Sequence, residues 1–174
     1  MNEFACTDVP LDQWVAEASV LKANGFTYFD FLTAIDQTDA SGEDAVPGFD
    51  IVLHVYEPRE PGDLGQAMIR TRVPEKGSIA SLTGVYAGAA WHERETHEMF
   101  GVRFDGFADA TGQGLRPLLL PNGFEGHPWR KDFVLTARVS KDWPGAKEPG
   151  EGGGGHQRRK MAPPGLPDPS WGPR

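Results

Sequence analysis

At 174 residues and 19.0 kDa the chain has the size of one domain with an additional segment, and it is too short for two full cores. Hydrophobic residues make up 39% and charged residues 24%, which excludes wholesale disorder, and no run approaches the ~20 apolar residues of a membrane-spanning helix. Cys6 is the single cysteine, which excludes an intramolecular disulfide and a four-cysteine metal site, and the first ten residues, with Glu3 and Asp8 and no apolar stretch, do not read as a secretory signal.

The net charge of −8 is unevenly distributed: residues 1–64 carry −11, residues 65–140 carry +1 and residues 141–174 carry +2. A nucleic-acid face needs clustered cations to displace phosphate counterions. The one basic cluster, His156 to Lys160, lies in a glycine- and proline-rich segment, so nucleic acid is not an expected partner. That cluster reads as a solvated patch or a contact to an acidic protein.

In chain order, Leu11, Trp14, Val15, Ala18 and Leu21 recur at helical spacing and predict an amphipathic helix over about 10–24. Asp8 is its expected cap, Pro10 suits its first turn and Asn24-Gly25 its left-handed stop. Residues 26–32 are aromatic-rich and strand-like, and 36–48 read as a surface loop. Residues 49–56 alternate, with Phe49, Ile51, Leu53 and Val55 on one face; residues 66–73 alternate likewise, with Ala67, Ile69 and Thr71 opposite Met68, Arg70 and Arg72. The two runs predict an antiparallel pair. From Ser78 the spacing of Ile79, Leu82, Val85 and Tyr86 predicts helix, and a further helix is expected over 88–100, closed by Gly101. Trp14, Phe29, Phe31, Ile51, Leu53, Val55, Ile69 and Leu82 are the expected core. Residues 102–135 have no sustained period, and residues 141–174 contain 8 glycines and 7 prolines, which excludes a packed core there.

Chemistry-bearing candidates concentrate on the last helix. His92 and His97 flank Glu93 as in a zinc-protease motif, but they are five residues apart, about 140° around a helix, and cannot both reach one metal from one face. The plain reading is a charged helix with Glu93 beside His97, Arg94 beside Glu98, and Trp91 on the packed face. Glu93, Glu95 and Glu98 could also be paired acid–base carboxylates. No nucleophile context accompanies them. Gly112-Gln113-Gly114 lacks the strand, helix and third glycine of a dinucleotide fingerprint, and no phosphate loop is present.

Two segments, residues 91–104 (Trp-His-Glu-Arg-Glu-Thr-His-Glu-Met-Phe-Gly-Val-Arg-Phe) and residues 115–133, which contain Gly126-His-Pro-Trp-Arg-Lys-Asp132, resemble the signature of the thirty-kilodalton subunit family of respiratory NADH:quinone oxidoreductase, complex I. The resemblance covers about residues 10–135. It rests on Glu93-Arg94-Glu95, on Glu98 and Gly101, on Arg116, and on Glu125, Gly126, His127, Pro128, Arg130, Lys131 and Asp132, in the family's order. Glu98 stands where the family has aspartate, His97 where it has an aromatic residue, and Pro117 where it has a second arginine. Residues 106–114 replace a further Gly-His-Pro.

The resemblance implies a scaffold subunit in the peripheral arm of a proton-translocating complex, docked through these residues. It would join the quinone-site subunit to the iron–sulfur subunits (the members lettered D, B and I) on the cytoplasmic side of the membrane. NAD, FMN, iron–sulfur clusters and quinone are then expected in the partners and no cofactor on this chain. The equivalent subunit of a membrane-bound hydrogenase or another donor:quinone complex is the alternative within the class; a stand-alone metal hydrolase using His92, His97 and His127 is the alternative outside it. The expected fold is α+β, a two-layer domain over 1–104 with a mixed, largely antiparallel sheet, followed by a docking arm over 105–140 and a glycine- and proline-rich tail over 141–174. In that arrangement Glu93, Glu95 and Glu98 pair with Arg94, Arg103, Arg116, Arg130 or Lys131, and the arm docks on another subunit instead of its own domain.

Overall fold

A computed structural model describes residues 6–42, 45–60 and 63–134. In chain order these form β1 (Cys6–Asp8), a short 3₁₀ turn (Leu11–Gln13), α1 (Trp14–Ala23), β2 (Tyr28–Gln37), β3 (Gly48–Pro58), β4 (Leu64–Pro74), β5 (Ser78–Ala80), α2 (Ala89–Phe100) and β6 (Arg103–Asp105). The segment expected to be a glycine- and proline-rich tail lies outside the described residues. Among the described residues no helix is long and apolar enough to cross a membrane.

The main sheet has the order β1-β4-β3-β2. β3 pairs antiparallel with both β2 and β4, as the alternating runs predict, and β1 joins β4 in parallel, which makes the sheet mixed. The alternation of β3 puts Phe49, Ile51, Leu53 and Val55 against the helices, each at most 1% exposed. Trp14 and Ala18 of α1 and Ala89, Met99 and Phe100 of α2 complete one core with Ile69, Val73, Ile79 and Leu82. The α+β two-layer expectation holds.

Phe31, expected in that core, is not part of it. β2 carries a bulge between Phe29 and Phe31: Phe29 pairs with Val55, Phe31 with His54, and Leu32 with Leu53. The extra residue shifts the alternation by one, so Phe29 and Leu32 face the helices while Asp30 and Phe31 turn to the outer face. There they enclose His54, whose Nδ1 lies 2.8 Å from the Asp30 carboxylate and whose ring lies 5.3 Å from that of Phe31.

Three other expectations are corrected. β2 extends to Gln37, so the loop begins later than residue 36. Asp8 belongs to β1 and pairs with the Arg70 guanidinium at 2.7 Å instead of capping α1. Residues 78–86 are not a helix: Ser78–Ala80 pairs in parallel with Arg103–Asp105 on the far side of α2, and turns follow. Ile79, Leu82 and Tyr86 are buried as their spacing suggested, but by long-range contacts. The crossover through α2 closes this small parallel β-α-β unit, in which β6 supplies the ladder partners of β5.

Candidate functional site

Of the signature residues, Arg94, Glu98, Gly101 and His127 meet where α2 joins the irregular segment 106–134. Gly101 ends α2 in the left-handed conformation, φ 81°, with its N–H donating to the His97 carbonyl at 2.9 Å. A side chain there would be strained by φ and would also collide with the His127 imidazole, because a Cβ would stand 2.6 Å from Nε2. His127 in turn donates from Nδ1 to the Glu98 carbonyl at 2.8 Å, and Trp129 donates its backbone N–H to the Met99 carbonyl at 3.1 Å. Two of the last carbonyls of α2, which lack partners within the helix, are thereby satisfied by the arm. The Trp129 ring stacks edge-on against Phe100 at 5.6 Å.

The arm is further held by side chains at the end of β2 and in two turns. The Lys131 N–H donates to Asp36 Oδ2 at 2.7 Å and Lys131 Nζ to Asp39 at 2.6 Å. Arg130 pairs with Glu75 at 2.5 Å and with Asp132 at 3.1 Å, its guanidinium lying over the Phe49 ring. Burial opposes ionisation of Asp36, yet the Thr38 hydroxyl and the N–H groups of Lys131 and Thr38 outweigh it and hold the carboxyl below its usual range. Arg116 pairs with Asp109 at 2.6 Å. Asp109 is also bonded by the Thr111 hydroxyl, the largest of the causes that keep it ionised.

The arm therefore folds back on its own domain, against the expectation that it would gain little by doing so. That expectation assumed its backbone polar groups would lack partners. Asp36, Glu98, Arg94 and the end of α2 provide them. Sequence reasoning named Glu98, Arg94, His127, Arg130 and Lys131, but missed their partners Asp36, Asp39 and Glu75, which lie in a strand end and loops far away in the chain.

The glutamates are not the expected ion-pair partners. Glu93 is fully buried and accepts hydrogen bonds from the Leu82 N–H and the Ser81 hydroxyl, both at 2.6 Å. Burial pushes its carboxyl up to about 7, against the pull of those two donors. Glu98 accepts the N–H groups of Leu118 at 3.0 Å and Leu119 at 2.6 Å. Arg94, instead of pairing with Glu98, donates to the carbonyls of Arg116 and Pro117, at 3.3 and 2.8 Å. Together Arg94 and Glu98 grip one stretch of arm backbone, the cation on its carbonyls and the anion on its N–H groups. Glu95, half-buried, has no hydrogen-bond or ion-pair partner among the described residues, and burial raises its pKa while the charge of His92 draws it down. Glu125 is exposed. The packed face of α2 also differs from expectation, because Trp91 is 46% exposed while Glu93, Thr96, Met99 and Phe100 are buried.

The three histidines invoked for a hydrolase are engaged separately. His92 donates from Nδ1 to the Leu32 carbonyl on β2 at 3.2 Å, His97 to the Val102 carbonyl at 2.8 Å, and His127 to that of Glu98. Among the described residues no three histidine, cysteine, aspartate or glutamate side chains converge as a metal site would require. A cavity of about 180 Å³ between α2 and the arm is lined by His97, Glu98, Arg116, Leu120, Phe124 and His127.

The helix-backed mixed sheet is similar to that of two solved structures. One solved structure is a chain of an archaeal respiratory membrane complex, the membrane-bound sulfane sulfur reductase: 23% identical, TM-score 0.63, covering 82% of this chain and 85% of that one. Another is a trypsin-resistant fragment of Nqo5, 23% identical with TM-score 0.53, covering 60% of this chain and 80% of the fragment. Both likenesses are of fold. The chain belongs to the family described as the 30 kDa subunit of respiratory-chain NADH dehydrogenase, which matches residues 7–139. The C subunit of NADH-quinone oxidoreductase from Mesorhizobium japonicum is 39% identical over 109 residues, 63% of this chain and 50% of that protein. The C 2 subunit of Rhizobium meliloti is 37% identical over 133 residues, 76% of this chain and 68% of that protein. The corresponding protein of Jannaschia is 36% identical over 136 residues, and the chain spans 60% of its length.

Proposed function

We propose that this chain is a scaffold subunit of the peripheral arm of a proton-translocating NADH:quinone oxidoreductase. It joins the quinone-site subunit to the iron–sulfur subunits, the members lettered D, B and I, carries out no redox step itself, and leaves NAD, FMN, clusters and quinone to its partners. Its attachment to the membrane is indirect and on the cytoplasmic side. The observation that carries this reading is the use made of the signature: Arg94, Glu98, His127, Arg130 and Lys131 fix the shape of an irregular arm, while Leu119, Trp129 and Val134 of the same arm stand 49–65% exposed. Apolar side chains held outward on a rigid frame are what an interface core requires, and a chain that only had to fold would gain by burying them.

The test is to tag the full chain at its own locus, solubilise membranes in mild detergent and identify what copurifies. Cluster-binding and quinone-site subunits are expected, with NADH:quinone reductase activity lost on deletion of the chain and restored by its return. Hydrogenase subunits in their place would keep the scaffold role and reassign the donor. A chain recovered alone, with membrane activity unaffected by its deletion, overturns the proposal.

A further inference from the structure

Of the charged carboxylate and guanidinium groups on α2, one has no partner among the described residues. Glu93 is closed inside the core by Ser81 and Leu82, and both oxygens of Glu98 and the guanidinium of Arg94 are bound to arm backbone. Glu95 alone is half-buried with no hydrogen-bond or ion-pair partner among the described residues, a position in which a carboxylate loses hydration and only the charge of His92 offsets part of the loss. It lies one turn beyond Trp91 and one turn before Glu98, so the three share one side of the helix. Glu98 holds the backbone of Leu119 against that side, and the Leu119 side chain is 51% exposed. A partly desolvated carboxylate thus shares one helix side with an exposed indole, and tryptophan and arginine are among the residues enriched at interface hot spots.

The geometry points to Glu95 as the receptor for an arginine contributed by another subunit of the assembly, its guanidinium paired with the carboxylate and stacked toward Trp91. This rests on the scaffold reading above and names the chemistry of its contact. Arginine is favoured over lysine because a planar cation can engage a carboxylate through two N–H groups and an aromatic face at once, and because its weaker hydration makes burial less costly. Arg94 cannot serve, being tied to the carbonyls of Arg116 and Pro117.

The experiment uses the full chain in its native membranes. Trp91→p-benzoylphenylalanine is photolysed in place and the adduct mapped by mass spectrometry. An arginine-containing segment of a different subunit is expected. Glu95→Gln should then weaken retention of the chain in the complex by at least about thirtyfold, the low end of the scale for loss of one partner of a desolvated interface charge. Thermal stability of the free chain should be unchanged or slightly higher, since an unpaired desolvated charge has been removed. Reversing both charges, Glu95→Arg with glutamate at the mapped arginine, should restore recovery. An adduct to residues 135–174 of the same chain, or normal recovery of Glu95→Gln, overturns the inference. The unsubstituted chain separates the two readings: if it fails to copurify with any cluster-binding subunit, the scaffold proposal fails, whereas if it copurifies and Glu95→Gln does so equally, only the role of Glu95 fails.

Discussion

The backbone N–H of Lys131 donates to the Asp36 carboxylate at 2.7 Å, joining the arm to the end of β2 across 95 positions of sequence. Asp36 lies on the helix-facing side of the sheet, opposite Phe49, and is only 6% exposed. Its ionised carboxyl organises the Thr38 turn and the arm together.

Asp36→Ala should therefore destabilise the isolated chain more than removing either cation of the arm. Loss of a charged acceptor serving three donors is expected to cost about 2–3 kcal/mol. Lys131→Ala should cost less than about 0.5 kcal/mol, because its side-chain pair with Asp39 is exposed and its N–H bond to Asp36 survives. Arg130→Ala falls between, near ~1 kcal/mol, since the guanidinium packs over Phe49 as well as pairing with Glu75. Chemical denaturation of the three variants gives the order.

Glu93 sets a pH dependence whose sign is opposite to that of an ordinary salt-bridged acid. Its carboxyl is raised from 4.5 to about 7 by burial, so the folded chain holds a proton that the unfolded chain releases between those values. The contribution of Glu93 is fully present below pH ~4.5, declines as pH rises through ~7 and is level above, a change of about 3 kcal/mol. Glu93→Gln keeps an acceptor for the Leu82 N–H and cannot ionise. The difference in unfolding free energy between the unsubstituted chain and Glu93→Gln should grow in favour of the variant across this window. A constant difference would show that burial does not govern this carboxyl.

Gly101→Ala should loosen the arm. The left-handed φ of 81° costs a residue with a Cβ about 1–2 kcal/mol, and the His127 ring must also move away. Gly84→Ala is the control, since a Cβ there meets nothing within 4 Å. Hydrogen exchange should show faster labelling of the Trp129 and Lys131 amides in Gly101→Ala alone.

Leu53→Ala, at a fully buried position in the centre of the sheet, should cost ~2–5 kcal/mol. Phe31→Ala should cost less than the ~3–5 kcal/mol of a core phenylalanine, because the bulge has moved Phe31 to the outer face, where it packs against His54. A loss of ~3–5 kcal/mol for Phe31→Ala would contradict that placement.

Much of the fold was legible because its signals are local. The period-two runs of β3 and β4 declared both strands and the buried face of β3, the 3.6 period declared α1, and Gly101 declared the end of α2. The order and spacing of Glu93-Arg94-Glu95 and Gly126 to Asp132 were enough to indicate the family. What the one-dimensional pattern could not carry was decided by contacts between distant segments. A one-residue bulge reversed Phe31, and pairing with β6 turned a helix-like run at Ser78–Ala80 into a strand. The roles of the three glutamates diverged for the same reason. They are equivalent as residues in a motif, but whether a carboxylate is buried on donors, bonded to an arm or left unpaired depends on desolvation and on which N–H groups the rest of the chain brings within 3 Å of it. Those are properties of the assembled tertiary structure.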